Sequence, residues 1–509
     1  MTGDQPQREE LRAAAVRGIR WASISRPATE VIQLVSMVIL ARLISPAEFG
    51  RYAIALIAQE VAFIIISEGV SSALVQRKYV DREHLQTGVA LGLLMGLGLT
   101  VMTLVASSLI VAPIFGARTA LFVRLISPLG LVSAATTVPM ATLRRRMEFR
   151  RLSEIEVLST LVRVAVCVAL ALAGLGGEAL VLGLLANALV IALVACISAP
   201  PPLPRLHLQA ARELLAYGLP ASMAAVSWVG FNNVDYAIIG ARLNAFQTGL
   251  YFRAYTLAIE YQKKVSVVMG QVGFPVLSRT RDADELTEMH RQMVRLLTIM
   301  LFPLLVLLAI EAPVLVPFLL GSAWSEATVP VQILALGGAA TLVIDAAGTV
   351  LMATGRTRAL LGYGIAHFLA YGLAVYAVVP YGIVAVAVAA AVVHTLFLIV
   401  AYALLLRGSP EHTLRRLWSD IAPATVSCLG LAAVVVPANF ALSAAHVPAI
   451  VQLTVVGLIA APPYLLTLRV CFPEISRRQR LIVVRLLPNR RQLRWAKRRL
   501  ELQGAQSSA

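Results

Sequence analysis

Thirteen charged or amide side chains stand inside otherwise apolar stretches of the chain: Arg26, Glu30, Glu60, Glu68, Arg163, Asn232, Asn233, Asp235, Arg253, Glu260, Lys263, Lys264 and Asp345. A charge at the centre of a bilayer costs at least about 2.5–3.5 kcal/mol unless it faces protein or water, so the set predicts a polar interior. On an unbroken α-helix at about 100° per residue, Arg253, Glu260 and Lys264 fall within about 40° of one stripe. Such a stripe is expected to line a water-filled cavity or to face a buried partner such as Asp235. Arg26 and Glu30 have the i, i+4 spacing of a local ion pair, while His367 and His394 read as packed core residues. The four cysteines, Cys167, Cys196, Cys428 and Cys471, are isolated and imply neither a disulfide framework nor a metal site. The chain has no Gly-x-x-x-x-Gly-Lys-Ser/Thr loop, no acidic ligand cluster and no nucleophile elbow. No cofactor, metal or catalytic residue is expected, and a gradient-driven or equilibrating transporter is the predicted class.

The elements that must position these groups follow from composition. Of 509 residues, 59% are apolar and 14% charged, against roughly 45–50% and about 25% in soluble domains; the mean hydropathy is +0.79. A soluble enzyme is excluded. The expected fold is an all-α polytopic membrane protein with about fourteen transmembrane helices. Their starts lie near Trp21, Tyr52, Leu85, Ala120, Leu152, Ala179, Leu214, Thr248, Met293, Ala327, Ala359, Ile383, Ile421 and Val447. The stretch Val314 to Leu320 reads either as a re-entrant piece or as the end of the ninth span. Basic breaks alternate with breaks poor in Arg and Lys, which places both termini in the cytoplasm. The net charge of +17 is therefore mostly topology, and no nucleic acid is expected. The polar first 24 residues and the interruption at Arg26, Pro27 and Glu30 do not read as a cleaved signal peptide.

Pro200, Pro201, Pro202 and Pro204 form a stiff spacer. The expected organisation is a six-helix lobe over residues 1–199, a cytoplasmic linker over 200–213 and a second lobe over 214–406. Two added helices over 407–472 and a basic cytoplasmic tail over 473–509 follow. From Arg477 to Arg499 the tail carries ten Arg and Lys among apolar residues, a composition suited to an anionic lipid surface. The longest polar break runs from Leu277 to Arg291, too short for a folded domain. An internal repeat supports two lobes: Ala41-Arg42-Leu43 with Gly50 and Tyr52 matches Ala241-Arg242-Leu243 with Gly249 and Tyr251. Six helices per unit make it a parallel repeat. Ser45-Pro46-Ala47-Glu48 reads as a capping box at the start of the second helix.

The run Leu40-Ala41-Arg42-Leu43-Ile44-Ser45-Pro46-Ala47-Glu48-Phe49-Gly50-Arg51-Tyr52, followed by Glu68-Gly69-Val70-Ser71-Ser72-Ala73-Leu74-Val75-Gln76-Arg77, resembles the opening of bacterial polysaccharide flippases. Asn233-Val234-Asp235-Tyr236, Gly249-Leu250-Tyr251 and Phe274-Pro275-Val276-Leu277-Ser278-Arg279 are similar to that family's central segment. These flippases belong to the multidrug, oligosaccharidyl-lipid and polysaccharide exporter superfamily, and the likeness runs from about Gly18 to about Arg407. It implies an inner-membrane flippase moving undecaprenyl-pyrophosphate-linked sugar units outward, by alternating access, for O-antigen, capsule or exopolysaccharide. Membrane lipids, a polysaccharide polymerase and glycosyltransferases are its implied partners. Glu68 stands where the family commonly has Asp. A multidrug or cation antiporter of the same superfamily would call for an acidic cavity, and a membrane-embedded polysaccharide polymerase or ligase for a substantial periplasmic loop.

Overall fold

A computed structural model of the chain describes residues 25, 27–280, 282–407 and 413–475. Arg26 and the basic tail from Arg477 to Arg499 lie outside the described residues. Those described form helices and short connections, with no strand among them. In chain order the helical stretches are α1 (27–43), α2 (Pro46–Gln76), α3 (Arg82–Phe115), α4 (Ala117–Arg145), α5 (Phe149–Leu172) and α6 (Glu178–Ser198). α7 is Leu208–Arg242, and α8 is built of Ala245–Tyr255, the π-helical turn Thr256–Glu260 and Tyr261–Leu277. There follow α9 (Ala283–Leu320), α10 (Ser322–Ala353), α11 (Thr357–Tyr381), α12 (Ile383–Leu406), α13 (Leu414–Ala444) and α14 (Ala449–Cys471). Eleven of these, among the described residues, are long and apolar enough to cross a membrane. α1, α7 and α8 are not among the eleven; α8 carries Arg253, Glu260, Lys263 and Lys264.

Two local expectations change, and one pair of alternatives is decided. Ser45 precedes α2 with extended backbone and Pro46 takes the first turn, but the Ser45 side chain makes no capping bond. Glu48 turns away from the helix start and pairs with Arg51 and with Arg118 Nε at 3.1 Å, because a guanidinium is a stronger donor to a carboxylate than a backbone amide is. Side-chain caps stand elsewhere: Asp81 Oδ1 accepts from the His84 amide at 2.9 Å and Asn244 Oδ1 from the Gln247 amide at 2.9 Å. The break after Leu277 is short, because α9 begins at Ala283, and Val314 to Leu320 are simply the last turns of α9.

Contacts divide the chain into two compact units. The first comprises residues from Met1–Glu260, Pro313–Leu334 and Gly364–Val393; the second comprises residues from Tyr261–Ala312, Ala335–Tyr363 and His394–Ala509. In the first unit α2 makes two glycine crossings. A Cβ on Gly50 would stand 1.8 Å from the Ala245 carbonyl oxygen, and one on Gly249 would stand 1.8 Å from that of Pro46. The two motifs of the repeat therefore meet each other, glycine against backbone in both directions. Farther along α2, a Cβ on Gly218 of α7 would stand 1.8 Å from the Gly69 carbonyl oxygen. The proline-rich segment is docked in the same unit. The His207 amide donates to Thr87 Oγ1 at 3.1 Å, and Glu213 takes Arg77 at 2.6 Å and His84 Nε2 at 3.0 Å. The His84 amide and ring, both bonded to Asp81, hold the Asp81 carboxyl below its ordinary range.

In the second unit α9 and α13 run side by side with a constant offset. Asp420 receives Arg291 Nε at 3.0 Å and Arg295 Nε at 2.7 Å, and the Asn439 amide reaches the Ile310 carbonyl at 3.3 Å. The first and third of these contacts are each 129 residues apart in sequence. α14 closes against the pair, with the Tyr464 hydroxyl donating to the Ile299 carbonyl at 2.8 Å. Ile299, Cys428, Leu431, Val435, Val456 and Ala460 fill the space between the three helices.

Gly50→Ala or Gly249→Ala should each lower the thermal midpoint of the detergent-solubilised protein, since inserting a methyl group against a packed neighbour costs about 1–3 kcal/mol. Gly98→Ala, which has open space around it, should not lower it. Either crossing substitution forces the same backbones apart, so the double variant should lose less than the sum; additive losses would show that the two glycines act independently.

Candidate functional site

Arg253 lies on the third turn of α8, 8% exposed, with its guanidinium carbon 4.0 Å from the centre of the Phe49 ring and 5.4 Å from that of Phe252. The helix crossing puts it there, because Phe49 precedes Gly50 and Arg253 is one turn beyond Gly249. A cation over an aromatic face gains about 0.5–2 kcal/mol, most when water is excluded. The Phe49 ring is fixed by an edge contact with Trp324, 5.4 Å between centres. Trp324 is in turn fixed by its Nε1 donating to the Ala41 carbonyl at 2.8 Å. Arg42 completes the arrangement by donating to the carbonyls of Phe318 and Leu319. The first repeat motif thus holds the end of α9 and the start of α10.

Asp235 on α7 is 1% exposed. Its Oδ2 accepts from the Tyr371 hydroxyl at 2.8 Å and its Oδ1 from the Tyr236 amide at 2.9 Å, and the Tyr251 hydroxyl lies 3.3 Å from that of Tyr371. Tyr236 packs edge-on to Tyr251, Phe252 and Tyr255, with ring centres 5.6–6.0 Å apart. The repeat partner of Tyr251 behaves alike: the Tyr52 hydroxyl accepts from Arg163 at 3.1 Å. In both copies the tyrosine two residues after the crossing glycine engages a polar group from another helix.

Other expected residues are placed as follows. Glu60 of α2 accepts from Asn233 Nδ2 of α7 at 3.0 Å, which brings two of the thirteen together across a helix pair. Glu68 accepts from Ser72 Oγ at 2.8 Å on its own helix, and Glu30, Asn232 and Glu260 are half-buried. Lys263, Lys264 and Asp345 belong to the second unit. There Lys263 acts electrostatically on Asp345, and the Lys264 ammonium is exposed, 5.1 Å from the centre of the Tyr261 ring. His367 and His394 are buried. The expected single stripe does not hold. The π-helical turn Thr256–Glu260 takes one residue more per turn, so the phase reckoned at 100° per residue is lost between Arg253 and Glu260.

Phe49, Trp324, Tyr251 and Tyr371 were not among the expected site residues. The available signal was the aromatic position shared by the two motifs, Tyr52 and Tyr251; Trp324 and Tyr371 come from distant helices and left none. Chemically the arrangement offers a permanent cation on an aromatic face, a buried carboxylate held by tyrosine, and a carboxylate–amide pair. Among the described residues no cluster of three His, Cys, Asp or Glu could hold a metal ion.

The model of a family described as polysaccharide biosynthesis protein matches residues 39–329, a range containing both repeat motifs. The teichuronic acid biosynthesis protein TuaB of Bacillus subtilis is 23% identical over 373 residues, 72% of this chain and 76% of that protein. The succinoglycan biosynthesis transport protein ExoT of Rhizobium meliloti is 29% identical over 330 residues, 63% of this chain and 65% of that protein. Among solved structures, the lipid II flippase MurJ in an inward closed conformation superposes with a TM-score of 0.72 at 14% identity, covering 90% of this chain and 99% of that one. The chain therefore shares the MurJ fold.

Tyr371→Phe removes a donor from a buried carboxylate and should lower stability by about 1–3 kcal/mol, read as an earlier thermal midpoint in detergent. A midpoint equal to that of the unaltered protein would show that the hydroxyl does not hold Asp235.

Proposed function

Because this chain belongs to the polysaccharide biosynthesis protein family, we propose that it is a bacterial inner-membrane flippase carrying undecaprenyl-pyrophosphate-linked oligosaccharide units outward. The observation that carries the reading is Arg253: a permanent cation kept inside apolar helices, on an aromatic face, where the two repeat motifs meet. A guanidinium so held is matched to phosphate oxygens by charge and by planar shape. The names of ExoT, a transport protein, and MurJ, a lipid II flippase, support the same assignment.

In this mechanism the polyprenyl tail stays in lipid while pyrophosphate and sugars cross through a polar interior. Arg253, Lys263 and Lys264 meet the phosphates, and Asn232 and Asn233 meet sugar hydroxyls. Glu260 holds a cation in place between substrates. Glu30, Glu60, Glu68, Arg163, Asp235 and Asp345 line or brace that interior. In this reading all fourteen helices cross the membrane, α1, α7 and α8 included. Both termini are cytoplasmic, residues 1–199 and 214–406 form the two lobes joined by 200–213, and the basic tail lies on anionic lipid. A polymerase and glycosyltransferases act on either side of the flipping step. Arg253 is covered in this conformation, so substrate is admitted when the lobes rearrange.

The test is surface polysaccharide per unit of membrane-inserted protein, in a strain lacking its own flippase. The unaltered chain should restore polymer, Lys264→Glu should reach the membrane at normal level and export little, and Lys264→Arg should keep part of the activity. Failure of the unaltered chain to restore any polymer would overturn the function, and full export by Lys264→Glu would remove Lys264 from the path.

A further inference from the structure

Glu311 of α9 has no part in the arrangement described above. It is 4% exposed, and neither carboxylate oxygen has a hydrogen-bond partner among the described residues. Asp235, Asp420, Glu60 and Glu68 all have donors. The polar groups nearest to it along α13 and α14 satisfy one another: Gln452 Nε2 donates to Asn439 Oδ1 and to Ser443 Oγ, and Asn439 Nδ2 to the Ile310 carbonyl. None of these titrates. Titratable groups on the elements packed against α9 in this unit include Asp345 on α10, Tyr402 on α12, Asp420 and Cys428 on α13, and Tyr464 on α14; Glu326 on α10, His394 on α12, Arg415 and Arg416 on α13, and Arg469 and Cys471 on α14 belong to the same elements. Asp345, Tyr402, Asp420, Cys428 and Tyr464, with His290, Arg291 and Arg295 of α9 itself, lie at the level of residues 290–305, six residues or more from Glu311, roughly 9 Å along the axis.

An ionised carboxylate in that position would have lost its hydration and gained no donor. A group so placed neutralises by taking a proton. One feature connects the site with movement of the helix: Pro313, two residues on, has no amide to offer the carbonyl one turn back.

We infer that Glu311 is a proton-binding site of the transport cycle: its carboxyl is protonated in this conformation and releases the proton when the helix rearranges and its oxygens meet water. The inference deepens the flippase reading and rests on it. Since the carboxylate is excluded from this conformation, proton release and conformational change are linked, and a proton gradient biases the cycle. The proton is bound from one aqueous side and released to water when the helix has rearranged, with no covalent chemistry.

Dicyclohexylcarbodiimide, an apolar reagent that adds to protonated carboxyls, tests the site on the full chain in native membranes. Peptide mapping near neutral pH should find the adduct on Glu311, and Glu311→Gln should lose that adduct. In the export assay Glu311→Gln, which has the shape of the protonated acid, should reach the membrane at normal level and lose most of its polysaccharide export, while Glu311→Asp should retain part. An unmodified Glu311 overturns the inference, and so does normal export by Glu311→Gln, the result expected of a merely structural acid. If the unaltered chain restores no polymer, the flippase reading fails, and the carbodiimide adduct alone then decides the proton site.

Discussion

The structure of the first unit depends on one steric fact: α2 and α8 touch backbone to backbone at Gly50 and Gly249. Helices bearing ordinary side chains pack with axes about 8–10 Å apart, and membrane helices come closest where small residues remove that spacing. Every feature around Arg253 follows from this approach. Phe49, next to Gly50, is pressed onto the guanidinium; Trp324 presses on Phe49; and the tyrosines two residues beyond each glycine are aimed at the polar residues of neighbouring helices. A second glycine contact, Gly218 against Gly69, holds the far end of α2 to α7. Glu60 and Asn233 bond across the same pair of helices.

The reading of the sequence succeeded where a periodic or repeated signal was present. Thirteen of the helices begin within about ten residues of the expected starts, because an apolar run of membrane length admits few alternatives. The repeated Ala-Arg-Leu…Gly…Tyr motif marked the two segments that meet, though not that they meet each other. What escaped has a common physical origin. Tyr371 and Asp235 are 136 residues apart, and Arg291 and Asp420 are 129 apart; pairings of that kind are settled by packing and leave no local pattern. The lost stripe on α8 is a different failure, of geometry, since one π-helical turn changes the phase of a helix whose composition looks unbroken. At Ser45 the motif was present but the serine side chain makes no capping bond, and Glu48, the reciprocal half of the box, pairs with Arg51 and Arg118 instead.

The polar residues of this chain divide by how they are satisfied. Some are closed off by uncharged hydrogen-bond donors, as Asp235 is by Tyr371. Some are shared between oppositely charged side chains, as Asp420 is between two arginines. Among the described residues, burial without either arrangement is confined, among the acids, to single oxygens of Glu48 and Glu178 and to both oxygens of Glu311. A fold that satisfies its other buried acids at least in part, and leaves this one wholly unsatisfied, gives that acid a different task. In a membrane protein such groups mark the routes of ions and substrates more often than they mark defects.

The pairing of Asp420 with Arg291 and Arg295 also bears on how the protein is made. Arg295 leaves the ribosome 125 residues before Asp420, and at roughly 5–20 residues per second the interval is about 6–25 s. Throughout that time the two arginines at the start of α9 have no Asp420, while α10, α11 and α12 are being synthesised and placed. Only when the first turns of α13 emerge does the counter-charge arrive, and α14 follows to fill the apolar groove beside Ile299. The last helix pair is thus a late fastening, and a chain truncated before α13 would leave the ribosome with two cations that its final partner was meant to neutralise.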